Sequence, residues 1–234
     1  NMTLEETIRR IRPVDQKAKE DAKAHWDGLG KPLGSLGRLE DVIVQIAGIQ
    51  RTPQIHIEKK ALVIMCADNG VVEEGVTQCG QEVTASVAEN FLDEKSCVAI
   101  MCKRAGAGIY PVDIGMAVDT PRIEKRKVAY GTKNMTKEPA MTRAQAVATI
   151  EAGIAKAQEL KNLGYELLAT GEMGIGNTTT SSAMTAVFLR MEPERVTGRG
   201  AGLSGAGLKR KVRAIWRAIS LHEPDASDPL DVLS

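Results

Sequence analysis

Residues 3–28 are polar and favour helix, with Trp26 near their end. The stretch "GKPLGSLGRLE" at 30–40 breaks that pattern with Gly30, Pro32, Gly34 and Gly37. A helix is expected next, because Leu39, Val42, Ile43, Ile46 and Ala47 recur at three- and four-residue spacing. The texture then changes. "KKALVIMCADNG" (59–70) is a continuous apolar run, the pattern of a strand covered on both faces. Helices around 82–92 and 94–105 follow, then the short run "GIYPVDIG" (108–115). A helical pattern over 142–164 leads to a third run, "YELLATGE" (165–172). Runs alternating with helices predict βαβ units, and hence an α/β fold with a mostly parallel, Rossmann-like sheet flanked by helices. The polar, Gly/Pro-punctuated stretch 119–141 reads as a long connector.

The three runs end alike, in "ADNG", "VDIG" and "ATGEMG". Each sets an acidic residue and a glycine at the carboxyl end of a strand, the edge where open α/β sheets bind ligands. The third continues as "GEMGIGNTTTSS" (171–182), and a small, apolar helix is expected from Thr180 to Leu189. Asn177, Thr178 or Thr179 is expected to cap that helix. A helix start with free amides attracts an anion, and Gly174 and Gly176 let backbone approach one closely. A plain capped strand–helix turn carries about equal weight on the residues alone. The Lys-Ser/Thr of a P-loop is absent, and the order GxxGxG is not that of a dinucleotide fingerprint. "GRGAGLSGAG" (198–207) does hold G-x-G-x-x-G at Gly200, Gly202 and Gly205, but no clear strand precedes it. Glu172, between strand end and glycine turn, is either a group that hydrogen-bonds, transfers a proton or pairs with a cation, or a turn residue facing solvent. In the last long helix, 207–222, Leu208, Val212, Ile215, Trp216 and Ile219 make the apolar stripe and Lys211 flanks it, within reach of a cleft. "EPDASDPLDVLS" then begins a further helical face.

Bulk composition narrows the classes. The 234 residues carry a net charge of +1 and only 3% aromatics, which gives no reason to expect nucleic acid. No apolar run is long enough to span a bilayer, so no membrane partner is expected. Cys66, Cys79, Cys97 and Cys102 form no CxxC pair, and His25, His56 and His222 lie far off, so no metal site is expected. Cys66 reads as a core residue, and the thiols as reduced ones in the cytoplasm.

Six stretches together carry more than each alone: "GKPLGSLGRLE" (30–40), "ADNGVVEEGVTQCGQEVT" (67–84), "PVDIGM" (111–116), "GTKNMTKEPAMTRAQA" (131–146), "GEMGIGNTTTSSA" (171–183) and "VTGRGAGLSGAGLKRK" (196–211). In this order and spacing the chain resembles the nicotinate-nucleotide–dimethylbenzimidazole phosphoribosyltransferases, from about residue 4 to the last. The resemblance implies transfer of a 5-phosphoribosyl group from nicotinate mononucleotide to a benzimidazole nitrogen, as in assembly of the cobamide lower ligand. It implies no cofactor and no metal, a homodimer, and a parallel α/β domain beside a small helical one drawn from both chain ends. The expected division is 1–37 for the helical part, 38–222 for the nucleotide-binding core, and 223–234 for the start of a further, here incomplete region. By the same resemblance, Gly174, Ile175, Gly176, Asn177, Thr178, Gly200 and Ala201 hold the nucleotide phosphate and ribose. Glu172 and Lys211 stand at the reacting centre, and Thr77, Gln78, Ser86 and Met173 line the base pocket.

The chain departs from the family pattern in places. The family often has His where Asn69 stands, Ser-Ala-Tyr-Pro where "TQCG" (77–80) stands, and Gln where Ser86 stands. A smaller, less aromatic pocket is then expected to favour another azole or a phenol. The family's distal Glu-Gly-Thr-Gly-Ala segment, which holds its catalytic base, does not occur in these residues, so weak turnover is expected of them alone. The rival expectation is a non-enzymatic homologue that binds a nucleotide or base.

Overall fold

The structure, a computed structural model, describes residues 2–234. Two units pack by themselves: Glu5–Lys59, and Lys60–Ser234 with the stretch up to Leu4. The first holds most of α1 (Leu4–Arg10), then α2 (Gln16–Asp27) and α3 (Arg38–Gln50). Asp15 caps α2 by accepting the Ala18 amide at 2.9 Å. The Gly/Pro turn before α3 is closed by Glu40, buried, which takes the Lys31 ammonium at 2.7 Å and the Leu36 amide at 3.1 Å. The expected boundary at 37/38 grouped α3 with the sheet, whereas packing groups it with α2.

The second unit is built on a parallel sheet. The apolar run becomes β1 (Lys60–Ala67), followed by a 3-10 turn (Gly70–Glu74), α4 (Glu82–Leu92) and α5 (Cys97–Ala105). Then come β2 (Ala107–Gly115), β3 (Glu124–Lys125), α6 (Arg143–Asn162) and β4 (Leu167–Met173). The order across the sheet is β3-β2-β1-β4, and every pair is parallel. The expected mostly parallel α/β architecture therefore stands. β3 is an addition: the 119–141 connector contributes an edge strand of two residues.

β1 lies centrally, and its alternation explains why it reads as a continuous apolar run. Leu62, Ile64 and Cys66 face one core with Ala85, Ala88, Phe91 and Cys102 of α4 and α5. Ala61 and Val63 face the other core, with Val112 and Leu160. Both faces are covered, as a central parallel strand requires. Cys66 is a core residue, as expected, and burial pushes its thiol up to about 12. β4, by contrast, is an edge strand whose Leu167 and Leu168 are exposed.

After β4 the chain runs through α7 (Asn177–Leu189), α8 (Pro193–Val196), α9 (Gly205–His222) and α10 (Pro229–Leu233). A further core joins α7 and α9 through Ala183, Ala214, Ile215 and Ala218, with Val71 and Val76. Residues 223–234 pack into this unit: the Ser234 carbonyl accepts the Met141 amide at 2.7 Å, and Arg143 pairs with Asp228 at 2.7 Å. The α9 face differs from the expected stripe. Its buried positions are Gly207, Lys211, Ala214, Ile215 and Ala218. Trp216 instead stays partly exposed and donates its ring N–H to Glu194 at 3.0 Å. Lys211 is thus inside the buried face rather than beside it.

Candidate functional site

The chain passes from β1 to β2 on one side, then returns to place β4 on the other side of β1. The carboxyl ends of β1 and β4 therefore flank a topological switch point, where open sheets leave a crevice. Three segments meet there: 76–79 after the 3-10 turn, 173–178 after β4, and 199–203 before α9. They enclose a cavity of about 270 Å³.

Gly174 lies hard against the end of β1: a Cβ there would overlap the Ala67 carbonyl oxygen. Gly176, at φ 95°, turns the chain into α7 as its N-cap residue. A glycine here offers no side-chain cap, so the expected capping by Asn177, Thr178 or Thr179 is corrected. Their polar groups have other surroundings. The Asn177 amide donates to the Glu172 carboxylate. The Thr178 hydroxyl accepts from the Lys211 ammonium at 2.6 Å, and Thr179 is wholly buried with its hydroxyl unpartnered. The N-terminus of α7 is left without a side-chain cap, and its first two residues, Asn177 and Thr178, form part of the cavity wall.

Lys211 is 1% exposed, and its partners are the Thr178 hydroxyl and the Gly198 carbonyl at 3.1 Å, neither of them an acid. Burial pulls its ammonium below the ordinary lysine pKa. A buried cation paired only with neutral oxygens gains most from an anion. Gly200 packs over this pair, since a Cβ there would stand 2.9 Å from Thr178 Oγ1 and 3.6 Å from Lys211 Nζ. Its G-x-G-x-x-G run follows the helical turn α8 and not a strand, so it is no dinucleotide fingerprint. Opposite, the Gln78 amide donates to the Gly202 carbonyl at 2.6 Å, joining the first segment to the third.

Of the residues singled out in sequence, Thr77, Gln78, Met173, Gly174, Ile175, Gly176, Asn177, Thr178, Gly200, Ala201 and Lys211 all line this one cavity. Glu172 does not line it; it sits one residue behind Met173, exposed and held by Asn177. The protein atoms around its carboxyl raise its pKa, and the Asn177 bond offsets part of that rise. Ser86 does not line it either: it is exposed on α4 and its hydroxyl returns to the Glu82 carbonyl at 3.2 Å. Val76, Cys79, Arg199 and Leu203 line the cavity without having been singled out. Arg199 and Leu203 fall inside the quoted "VTGRGAGLSGAG" stretch, so adjacency was the available signal.

The family description "Phosphoribosyltransferase" matches residues 11–234. The chain belongs to that family. Among its curated relatives, the nicotinate-nucleotide–dimethylbenzimidazole phosphoribosyltransferase of Clostridium tetani is 46% identical over 99% of this chain and 64% of the relative. The protein of the same name from Acetivibrio thermocellus is 48% identical over 99% of this chain and 66% of the relative. The crystal structure of CobT from Thermus thermophilus superposes with a TM-score of 0.86 at 38% identity, covering 93% of this chain and 66% of that one. The chain thus spans just under two thirds of the length of these relatives. No helix among the described residues is long and apolar enough to cross a membrane.

Proposed function

We propose that this chain binds nicotinate mononucleotide in the cavity and takes part in moving its 5-phosphoribosyl group to a benzimidazole-type base. The observation that carries the reading is Lys211, a buried ammonium with no acidic partner, meeting Thr178 at the start of α7. A nucleotide phosphate seated there receives a full charge, a helix dipole and the backbone of a glycine turn together. Gly200 and Ala201 close over the same corner and serve the ribose. Thr77, Gln78 and Met173, with the aliphatic Val76 and Leu203, suit a flat apolar base with one polar edge.

The chemistry balances without a cofactor. A ring nitrogen of the acceptor attacks C1′ of the ribose, and the bond from C1′ to the pyridinium nitrogen breaks with inversion. Nicotinate leaves with the bonding pair, and the acceptor's N–H proton passes to a carboxylate. Because the pyridinium departs readily, holding donor and acceptor in line supplies most of the acceleration. Glu172 is the carboxylate of this chain beside the turn, and burial raises its pKa above the ordinary glutamate value, which makes it a stronger proton acceptor. The reading includes a homodimer and a cytoplasmic place, the latter open to cell fractionation.

Calorimetric titration with nicotinate mononucleotide tests the proposal. The wild-type chain should bind it, and Lys211→Met should weaken binding by roughly 10- to 100-fold, the loss expected of a charged hydrogen bond. Equal affinity in both proteins would refute the phosphate subsite.

A further inference from the structure

The turn that faces the proposed phosphate is held by groups outside it. Ile175 follows the end of β4 and precedes α7, and neither its N–H nor its carbonyl joins a sheet or helix ladder. Its N–H donates to the Thr84 hydroxyl at 3.1 Å. Its carbonyl accepts the Asn69 side-chain amide at 3.1 Å. Thr84 comes from α4 and Asn69 from the end of β1, so two segments remote in sequence grip one residue from both sides.

We propose that Thr84 and Asn69 are positioning residues for the anion-facing backbone of 174–178, acting through Ile175; that an anion is bound there rests on the function proposed above. Each side chain is itself fixed. Thr84 is fully buried and gives its single hydroxyl hydrogen to Asp68 Oδ1 at 2.6 Å. Asp68, also buried, accepts the Ala117 amide through Oδ2 at 2.8 Å. With the hydrogen committed to a carboxylate, only the lone pairs of the Thr84 hydroxyl remain for Ile175. Asn69 Oδ1 accepts the Thr180 hydroxyl at 3.0 Å, which leaves its Nδ2 hydrogens for the Ile175 carbonyl. The reverse amide orientation would set two acceptors face to face. The glycines make the room. A Cβ at Gly176 would stand 3.0 Å from Asn69 Cβ, and one at Gly174 3.1 Å from its Nδ2.

The consequence follows from peptide geometry. A trans peptide points its N–H opposite to its carbonyl, so anchoring the Ile175 carbonyl on Asn69 turns the Gly176 N–H away from Asn69. Anchoring the Ile175 N–H on Thr84 fixes the preceding peptide likewise, and its Gly174 carbonyl takes the Asn177 amide at 3.1 Å. The donors of the turn are thereby oriented before any ligand arrives, which spares the binding step their ordering.

Residue-resolved amide exchange on the ligand-free chain, followed by calorimetry with nicotinate mononucleotide and with inorganic phosphate, tests this. Thr84→Val keeps the shape and removes the hydroxyl, Thr84→Ser keeps the hydroxyl, and Asn69→Ala removes the second grip. We expect Ile175 to exchange about tenfold faster relative to the β1 amides in Thr84→Val, and faster than wild type in Asn69→Ala as the turn loosens, with Thr84→Ser close to wild type. Ligand affinity should fall by about tenfold in the first and third variants and be rescued in the second. Unchanged exchange in both Thr84→Val and Asn69→Ala would overturn the clamp, as would equal loss in Thr84→Ser, which marks a packing defect. A wild-type chain that binds neither ligand would instead overturn the phosphoribosyl reading, and the exchange rates would still decide the clamp.

Discussion

Glu172 shows how one residue's surroundings set its chemistry. Its carboxyl is reached by solvent yet crowded by protein, and desolvation is the larger influence, with the Asn177 amide opposing it. The folded-state pKa lies above the ordinary glutamate value, so the folded chain holds this proton more tightly than the unfolded one. Its contribution to stability is therefore fully present below the unfolded pKa and is lost as pH rises through the folded one. Glu172→Gln, which keeps an acceptor for Asn177, should melt higher than wild type at pH 7 to 8 by thermal unfolding. The gap should close as pH falls toward 4, near the ordinary glutamate range. A gap that widened on acidification would contradict the raised pKa. Lys211 is the complementary case. Its charge was visible in the sequence, but its burial was not, because a lysine at that place in an amphipathic helix reads equally well as a solvated flank.

At the scale of elements, the strand–turn–helix unit β4–α7 depends on which glycines touch neighbours. Gly174 and Gly198 look equivalent in the sequence. A Cβ at Gly174 would collide with the backbone of β1, whereas one at Gly198 meets nothing within 4 Å. Gly174→Ala should destabilise the chain by about 3 kcal/mol in denaturant unfolding, the scale of overpacking against backbone, while Gly198→Ala should change it by less than about 1 kcal/mol. Similar effects at both positions would refute this account of the turn. Helix and strand positions were legible because they rest on local periodicity: β1, α4, α5 and α6 fall within the expected stretches, β2 and β4 overrun theirs by one residue, and α9 starts two residues early. The α7 cap was misread. Asn177 and Thr178 are good capping residues in isolation, but Glu172 and Lys211 engage both side chains. The two-residue β3 had no local signal, since its pairing to β2 depends on where β2 lies.

For the whole molecule, the parallel sheet and the α7–α9 core account for most buried apolar residues, and both belong to Lys60–Ser234. Within Glu5–Lys59 the buried apolar side chains are Ala18, Ala22 and Ala47, while Leu39, Val42 and Ile49 of α3 are exposed at seven- and three-residue spacings. An apolar row left in water on one helix is a motive for association. The proposed homodimer is thus expected to appear in light scattering as about twice the 25.2 kDa chain mass. A mass of one chain at micromolar concentration would refute it.

The sequence by itself determined the alternation of apolar runs and helices, and with it the parallel sheet, because burial on one or two faces imprints a period that survives without coordinates. Six ordered stretches also pointed to the phosphoribosyltransferases. Only the tertiary structure decided which side chains share the cavity. It left Ser86 outside, buried Lys211 beside Thr178, and set Thr84 and Asn69 on either side of Ile175. These are contacts between segments up to 106 residues apart, as from Asn69 to Ile175, and no local pattern encodes a distance across the fold.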